Sequence, residues 1–349
     1  MYASTLQNVG TVRLEEVDIP EIGKNDVLIK VKFCGMCPSD LKYYVGERKP
    51  RSWPSIRGHE FSGDIAEIGG DVESFTVGDR VVGHGRIPCG KCYYCIRNGP
   101  NVNYCMNLRN SGEHSGGGTG AFAEYTKLSA LCTYKIPEGV NYEEAAFAEP
   151  LSCCLNAVMR SEIVLGDTAA VIGDGPNGII IAQLTKALGV GKAIIVGHHD
   201  DRLLLAKKVG ADEIINSNKE DPIKIVKSLT DGRGADEVLL GTGHPSAVKQ
   251  GLGMVRSEGI VNFFASTYPT TEIQLDPNAL HNPSIKLVGS RDFQPFHFVK
   301  SLELMRNKSI DLKPLITLVL PLNRVEEGFT ATRDRKAVKV MIDCTRIHD

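Results

Sequence analysis

The 349-residue chain has no run of about 18 apolar residues, which excludes a hydrophobic helix able to span a bilayer. An excess of either charge is also missing: 40 Lys+Arg stand against 42 Asp+Glu, for a net charge of −2. That balance excludes a strongly basic nucleic-acid binder and a polybasic membrane-surface protein. The opening residues, Met1-Tyr2-Ala3-Ser4-Thr5-Leu6-Gln7-Asn8, carry neither a charged segment nor an apolar stretch, so no secretory signal is expected. A cytoplasmic protein is the resulting expectation. Internal repeats are absent as well.

What is present fits a globular protein of two domains. Apolar residues make up 42% of the chain, enough for cores that need no disulfide staples. Its ten cysteines need another explanation in a reducing compartment, and their clustering points first to metal. The 36 glycines fall between apolar runs, where tight turns and close backbone approaches need them.

Residues 1–150 read as short strands and turns, with β-like runs at 27–33, 63–70 and 77–83 and no long amphipathic helix. From 151 to 289 strands alternate with helices. Strands are expected at 169–172, 193–196, 213–215, 237–240, 260–264 and 285–288. Helices are expected at 177–188, 202–209, 222–229 and 246–255. Such alternation implies a parallel sheet wound on both faces. A helix at 296–305 and a strand at 337–343 follow, and residues 290–349 are expected to return to the first domain.

The loop Gly173-Asp174-Gly175-Pro176-Asn177-Gly178 follows the first of those strands and opens a helix. In that setting a G-x-G-x-x-G loop is a dinucleotide fingerprint. Gly173 allows the tight turn, Gly175 lets backbone approach a pyrophosphate, and Gly178 lets the helix sit close on the strand. The helix N-terminus, with Pro176 and Asn177 in its first turn, offers free N–H groups to phosphate. A ribose-binding acid is expected at the end of the second strand, where this chain has Gly197. Without that carboxylate a 2′-phosphate is not repelled, and His198, His199 and Arg202 are placed to contact it. The reading therefore favours NADP over NAD, with Asp200 or Asp201 reaching back to the ribose as the alternative.

Cys89, Cys92, Cys95 and Cys105 form a Cys-x2-Cys-x2-Cys-x9-Cys lobe, at about residues 86–106. Four thiolates at this spacing can close a tetrahedron around zinc, and a closed site is structural. Iron–sulfur ligation uses similar gaps and is the rival. Three further motifs carry a thiolate, an imidazole and carboxylates: Cys37-Pro38-Ser39-Asp40, Gly58-His59-Glu60, and Ala148-Glu149-Pro150-Leu151. These are ligand types of a catalytic zinc with one open position. Open zinc acidifies a bound alcohol, and a nicotinamide accepts its hydride.

Taken together, these motifs resemble the zinc-dependent medium-chain alcohol and polyol dehydrogenases, in the sorbitol dehydrogenase-like branch. The resemblance is carried in order by Cys37-x-Ser39-Asp40, Gly58-His59-Glu60-Phe61-Ser62-Gly63, Val77-Gly78-Asp79-Arg80-Val81, the cysteine lobe, Gly120-Ala121-Phe122-Ala123-Glu124-Tyr125, Glu149-Pro150-Leu151 and the glycine loop. It implies a GroES-like β-rich catalytic domain built from residues 1–150 and 290–349, with a Rossmann domain at 151–289. It implies a catalytic zinc on Cys37 and His59, with Glu60 or Glu149 as third ligand, and a structural zinc on the four-cysteine lobe. Cys153 and Cys154 lie close to Glu149 in sequence, so a cysteine ligand there stays open. Ser39 matches the hydroxyl that relays the alcohol proton, and Tyr43 and Arg291 match substrate contacts of the polyol branch.

This chain departs from the family pattern in two places. Lys42 stands where many members carry a relay histidine, and lysine accepts a proton poorly at neutral pH unless its pKa is depressed. The gap before Cys105 is longer than common, and the turn at residues 98–103 is expected to absorb it. The activity implied is interconversion of a secondary alcohol and a ketone on a polyol, cyclitol or sugar (phosphate), by a homodimer or homotetramer. A threonine-type amino-alcohol dehydrogenase is the rival, with a zinc-free enone reductase and a non-catalytic binding protein behind it.

Overall fold

A computed structural model describes residues 1–99, 102–110, 120–267 and 272–348. The chain divides into two units. The first comprises Met1–Pro150, Gln294–Asn307 and Leu315–Asp349, and the second Leu151–Phe293 and Lys308–Pro314. The return to the first unit thus starts at Gln294, four residues beyond the expected boundary, and residues 308–314 go with the second unit. Buried aromatic packing gives the reason for the return: Phe298 is fully buried, stacks on Tyr134 at 4.7 Å and meets His84 at 5.4 Å, all within the first unit.

The first unit is β-rich. Its seven-stranded sheet runs Thr133–Lys135, Arg80–Gly83, Glu60–Ile68, Asp26–Gly35, Lys339–Asp343 and Ile316–Pro321, with Tyr125–Ser129 also pairing Asp26–Gly35. The C-terminal strand Lys339–Asp343 lies antiparallel to Asp26–Gly35, so the two ends of the chain share one sheet. Val27, Ile29, Val31, Phe61, Ile65, Val81 and Ile342 meet in its core. The short helix Pro38–Tyr44 leaves the end of the central strand.

The second unit holds a six-stranded, all-parallel sheet. Its order is Glu213–Asn216, Lys192–Gly197, Thr168–Ile172, Ala235–Leu240, Val255–Phe263 and Lys286–Gly289. This is the Rossmann order, third strand outward to first and on to sixth. The expected helices occur at Pro176–Ala187, Asp200–Lys208, Pro222–Ser228 and Pro245–Met254. The fifth strand begins at Val255 rather than at 260, through a register shift against Ala235–Leu240. Its polar Arg256-Ser257-Glu258-Gly259 segment reads as a loop in the sequence, and Glu258 indeed has φ 61°. The helix Ala148–Arg160 was not expected at that length. Among the described residues no helix is long and apolar enough to cross a membrane.

Candidate active site

Three donor atoms meet in the β-rich unit. Ligand atoms of Cys37, His59 and Glu60 all lie within 4.8 Å of one another. Around tetrahedral zinc such atoms stand about 3.3–3.8 Å apart, so the set needs only slight contraction. Local chain geometry brings them together. Cys37 is the N-cap of Pro38–Tyr44, directly after the central strand, and Glu60 opens the neighbouring strand. Gly58 has φ 97°, and a Cβ there would stand 2.8 Å from Cys34 Sγ and 2.9 Å from the Phe122 nitrogen. Only glycine makes the turn that delivers His59 and Glu60.

The surrounding side chains fix these groups. Asp40, fully buried, places Oδ1 3.4 Å from His59 Nδ1, and its Oδ2 accepts the Cys37 N–H at 3.2 Å. A carboxylate behind a histidine orients the ring as a metal ligand. Ser39 Oγ lies 3.5 Å from His59 Nε2, beside the ring nitrogen left for the metal. Burial, followed by the Glu60 carboxylate, pushes the Cys37 thiol up despite the opposing His59 contact. A thiolate here therefore calls for a cation, which suits a metal-binding role.

Lys339 was not singled out from the sequence. It is 3% exposed, donates from Nζ to Glu60 Oε2, and lies 5.5 Å from the Phe147 ring centre. Burial works against its charge, but the Glu60, Cys37 and Glu149 charges raise its pKa overall. Gly35 makes room for the pair, since a Cβ there would stand 2.6 Å from Glu60 Oε2. Glu149 sits in the first turn of Ala148–Arg160 and is not a member of the Cys37–His59–Glu60 cluster. Tyr43 stacks its ring on the buried Arg57 guanidinium at 3.7 Å, and Arg57 in turn stands 3.9 Å from Asp40. Lys42 lies in the last turn of the same short helix. Arg291 belongs to the second unit, where its exposed side chain pairs with Asp292 at 3.2 Å.

Cys89, Cys92, Cys95 and Cys105 form a second cluster with all four sulfur atoms within 4.8 Å. The Cys89 N–H donates to Cys105 Sγ at 3.2 Å, and Cys92 caps the helix Tyr93–Asn98. Four converged thiols, with no fifth donor in the cluster among the described residues, suit a closed structural site. The turn expected at 98–103 includes residues 100 and 101, which lie outside the described residues. None of the ten cysteines is in a disulfide.

In the second unit the glycine loop has the form a dinucleotide needs. Gly173 has φ 127°, and a Cβ at Gly178 would stand 1.9 Å from the Gly173 carbonyl oxygen. Gly175 is the N-cap of Pro176–Ala187, and a Cβ built on it meets nothing within 4 Å. That open space beside a helix N-terminus fits a pyrophosphate.

The end of the second strand differs from the sequence reading. A Cβ at Gly197 would stand 2.5 Å from Asp174 Oδ2, so an acid side chain has no room at that position. Arg202 is buried at 6% exposure, not presented as an open phosphate contact. Asp200 is engaged by Asn216 and Lys219 rather than reaching back. His198 is exposed and His199 half-buried.

Comparison with known proteins agrees with this geometry. Residues 23–138 match the alcohol dehydrogenase GroES-like domain, and residues 176–306 match the zinc-binding dehydrogenase family. A sorbitol dehydrogenase of Halalkalibacterium halodurans is 36% identical, over 97% of each chain. An L-threonine 3-dehydrogenase of Bacillus subtilis is also 36% identical, over 94% of each chain. A zinc-binding dehydrogenase of Sinorhizobium meliloti, solved with NADP bound, superposes with a TM-score of 0.90 at 29% identity over 98% of each chain. The protein belongs to the zinc-dependent medium-chain dehydrogenase family. Within it, this chain is an NAD(P)-linked alcohol dehydrogenase enzyme with a GroES-like and a Rossmann domain.

Proposed function

We propose that the chain interconverts a secondary alcohol and a ketone on a polyol, cyclitol or sugar (phosphate), with two zinc ions per chain. The observation carrying this reading is the Cys37–His59–Glu60 cluster with Ser39 Oγ 3.5 Å from His59 Nε2. When bound, zinc supplies a Lewis acid for the alcohol oxygen, and the nicotinamide supplies the hydride acceptor. Cys37 and His59 hold the metal, and Glu60 is the third donor. Lys339 pairs with Glu60 and also feels the Glu149 charge. Asp40 keeps the His59 ring turned toward the metal. Ser39 relays the alcohol proton by passing on its own, and because Lys42, three residues on in the same helix, is a poor acceptor at neutral pH, the relay continues through the coenzyme ribose and water. Tyr43, held flat by Arg57, is the proposed substrate contact in this unit. Arg291 rests on the resemblance alone.

The Glu149-Pro150-Leu151 motif and the sorbitol dehydrogenase relative favour a polyol; the threonine dehydrogenase relative keeps L-threonine as the rival. The coenzyme is NAD(P). The sequence favours NADP because Gly197 ends its strand, whereas the fold brings the Asp174 carboxylate to that place. Cysteines clustered for metal rather than paired in disulfides support a cytoplasmic protein, and family resemblance supports a homodimer or homotetramer. Zinc-quantified protein mixed with polyols, cyclitols, sugar phosphates and L-threonine, each with NAD and with NADP, tests the reading by absorbance of the reduced coenzyme. Turnover of a polyol-type substrate is expected. Turnover of L-threonine alone overturns the substrate class.

A further inference from the structure

The sheet register sets the stage. Ile172 pairs in parallel with Val196, so the segments following these two strands emerge side by side. Asp174, second in the glycine loop, therefore faces the turn at residues 197–199. Its Oδ2 accepts the His198 N–H at 2.7 Å, the His199 N–H at 2.8 Å and His199 Nδ1 at 2.9 Å. Its Oδ1 has no hydrogen bond among the described residues, while the side chain keeps 10% of its surface open. Burial opposes its ionisation, but these three donors outweigh burial and hold the carboxyl below the usual carboxylate range.

Two consequences follow for the ribose end of a dinucleotide. Backbone N–H groups at a strand–helix turn, with the helix N-terminus behind them, are natural anion donors. Here Asp174 already occupies both, and His199 is the N-cap of Asp200–Lys208. A 2′-phosphate would meet a carboxylate where it needs donors, with strong repulsion at short range. A ribose 2′-hydroxyl, in contrast, can donate to the open Oδ1.

We propose that Asp174 is the specificity-determining residue for the coenzyme: it replaces, from the glycine loop, the acid missing at Gly197, and makes the enzyme prefer NAD over NADP. This inference rests on the dehydrogenase reading and reverses the coenzyme choice drawn from sequence alone. His199 serves Asp174 by hydrogen-bonding to it from both its backbone and its ring. The steric clash at Gly197 explains why the acid is supplied from the neighbouring loop rather than from the strand itself.

Calorimetric titration of the zinc-loaded protein with NAD and NADP tests this without relying on turnover. Wild type should bind NAD at least tenfold more tightly than NADP. Asp174→Asn keeps the shape and an acceptor for the two N–H groups while removing the charge, and should lower that ratio at least tenfold. Asp174→Ser should act in the same direction. The ratio is internally controlled, because loss of folding weakens both ligands alike. Tighter binding of NADP by wild type, or a ratio unmoved by both Asp174 variants, overturns the inference while leaving the dehydrogenase reading intact. Binding of neither dinucleotide contradicts that reading and this inference with it.

Discussion

Lys339 and Glu60, 279 residues apart in the chain, form an ion pair with both side chains almost wholly buried. The pair links the C-terminal strand to the strand that Glu60 opens. Removing one partner of such a pair leaves an uncompensated buried charge, which costs about 3–5 kcal/mol. Lys339→Met should therefore destabilise the β-rich unit by about that amount in chemical denaturation. Adding Glu60→Gln to Lys339→Met should recover most of the loss. Independent, additive effects of the two substitutions would show that the pair is not coupled.

Asp40 Oδ1 stands 3.4 Å from Nδ1 of His59, a proposed metal ligand. Asp40→Asn keeps the size of the side chain but removes the charge behind the imidazole. Zinc affinity, measured by competition with a chromophoric chelator, should fall about 10–100-fold. An unchanged affinity would remove Asp40 from the positioning of His59.

Glu237 gives the Rossmann unit a pH dependence of its own. Burial, reinforced by Asp167 and Asp236, raises its carboxyl to about 9. The folded state then holds a proton that the unfolded chain releases near 4.5. Stability from this group is complete below pH 4.5 and declines as pH rises toward 9. Glu237→Gln should match wild type near pH 4.5 and gain on it by about 1.4 kcal/mol per pH unit above that, up to about 5 kcal/mol at pH 8. Thermal melts across that range check the trend, and a constant difference between the two proteins would contradict it.

The four-cysteine lobe should depend on its metal. Its helix Tyr93–Asn98 is short, and Tyr93, Tyr94, Ile96 and Tyr104 are exposed, so little apolar burial remains to hold it. Cys95→Ser should expose the lobe to limited proteolysis while the Rossmann unit stays resistant. Equal resistance of variant and wild type would mean that the lobe does not need the ion.

Much of this arrangement is legible in the sequence because its signals are local. The glycine loop, the Gly58-His59-Glu60 turn and the cysteine lobe each fix their geometry within a few residues. Strand–helix alternation likewise announces the parallel sheet. The Lys339–Glu60 pair has no such signal, since it depends on two strands meeting across the length of the chain. Asp174 stood in plain view inside the glycine loop. Its reach to His198 and His199 follows only from the Ile172–Val196 register, so Gly197 alone suggested a missing carboxylate. The burial of Arg202 is hidden for a related reason: its position near the strand end says nothing of the helix face that buries it.

The most direct test of the account is zinc content set against turnover. Inductively coupled plasma mass spectrometry should find two zinc ions per chain in wild type. His59→Ala and Cys37→Ser should each retain one, lose turnover and still bind the dinucleotide. If either variant keeps two zinc ions, or turns over at the wild-type rate, Cys37 and His59 do not hold a catalytic metal.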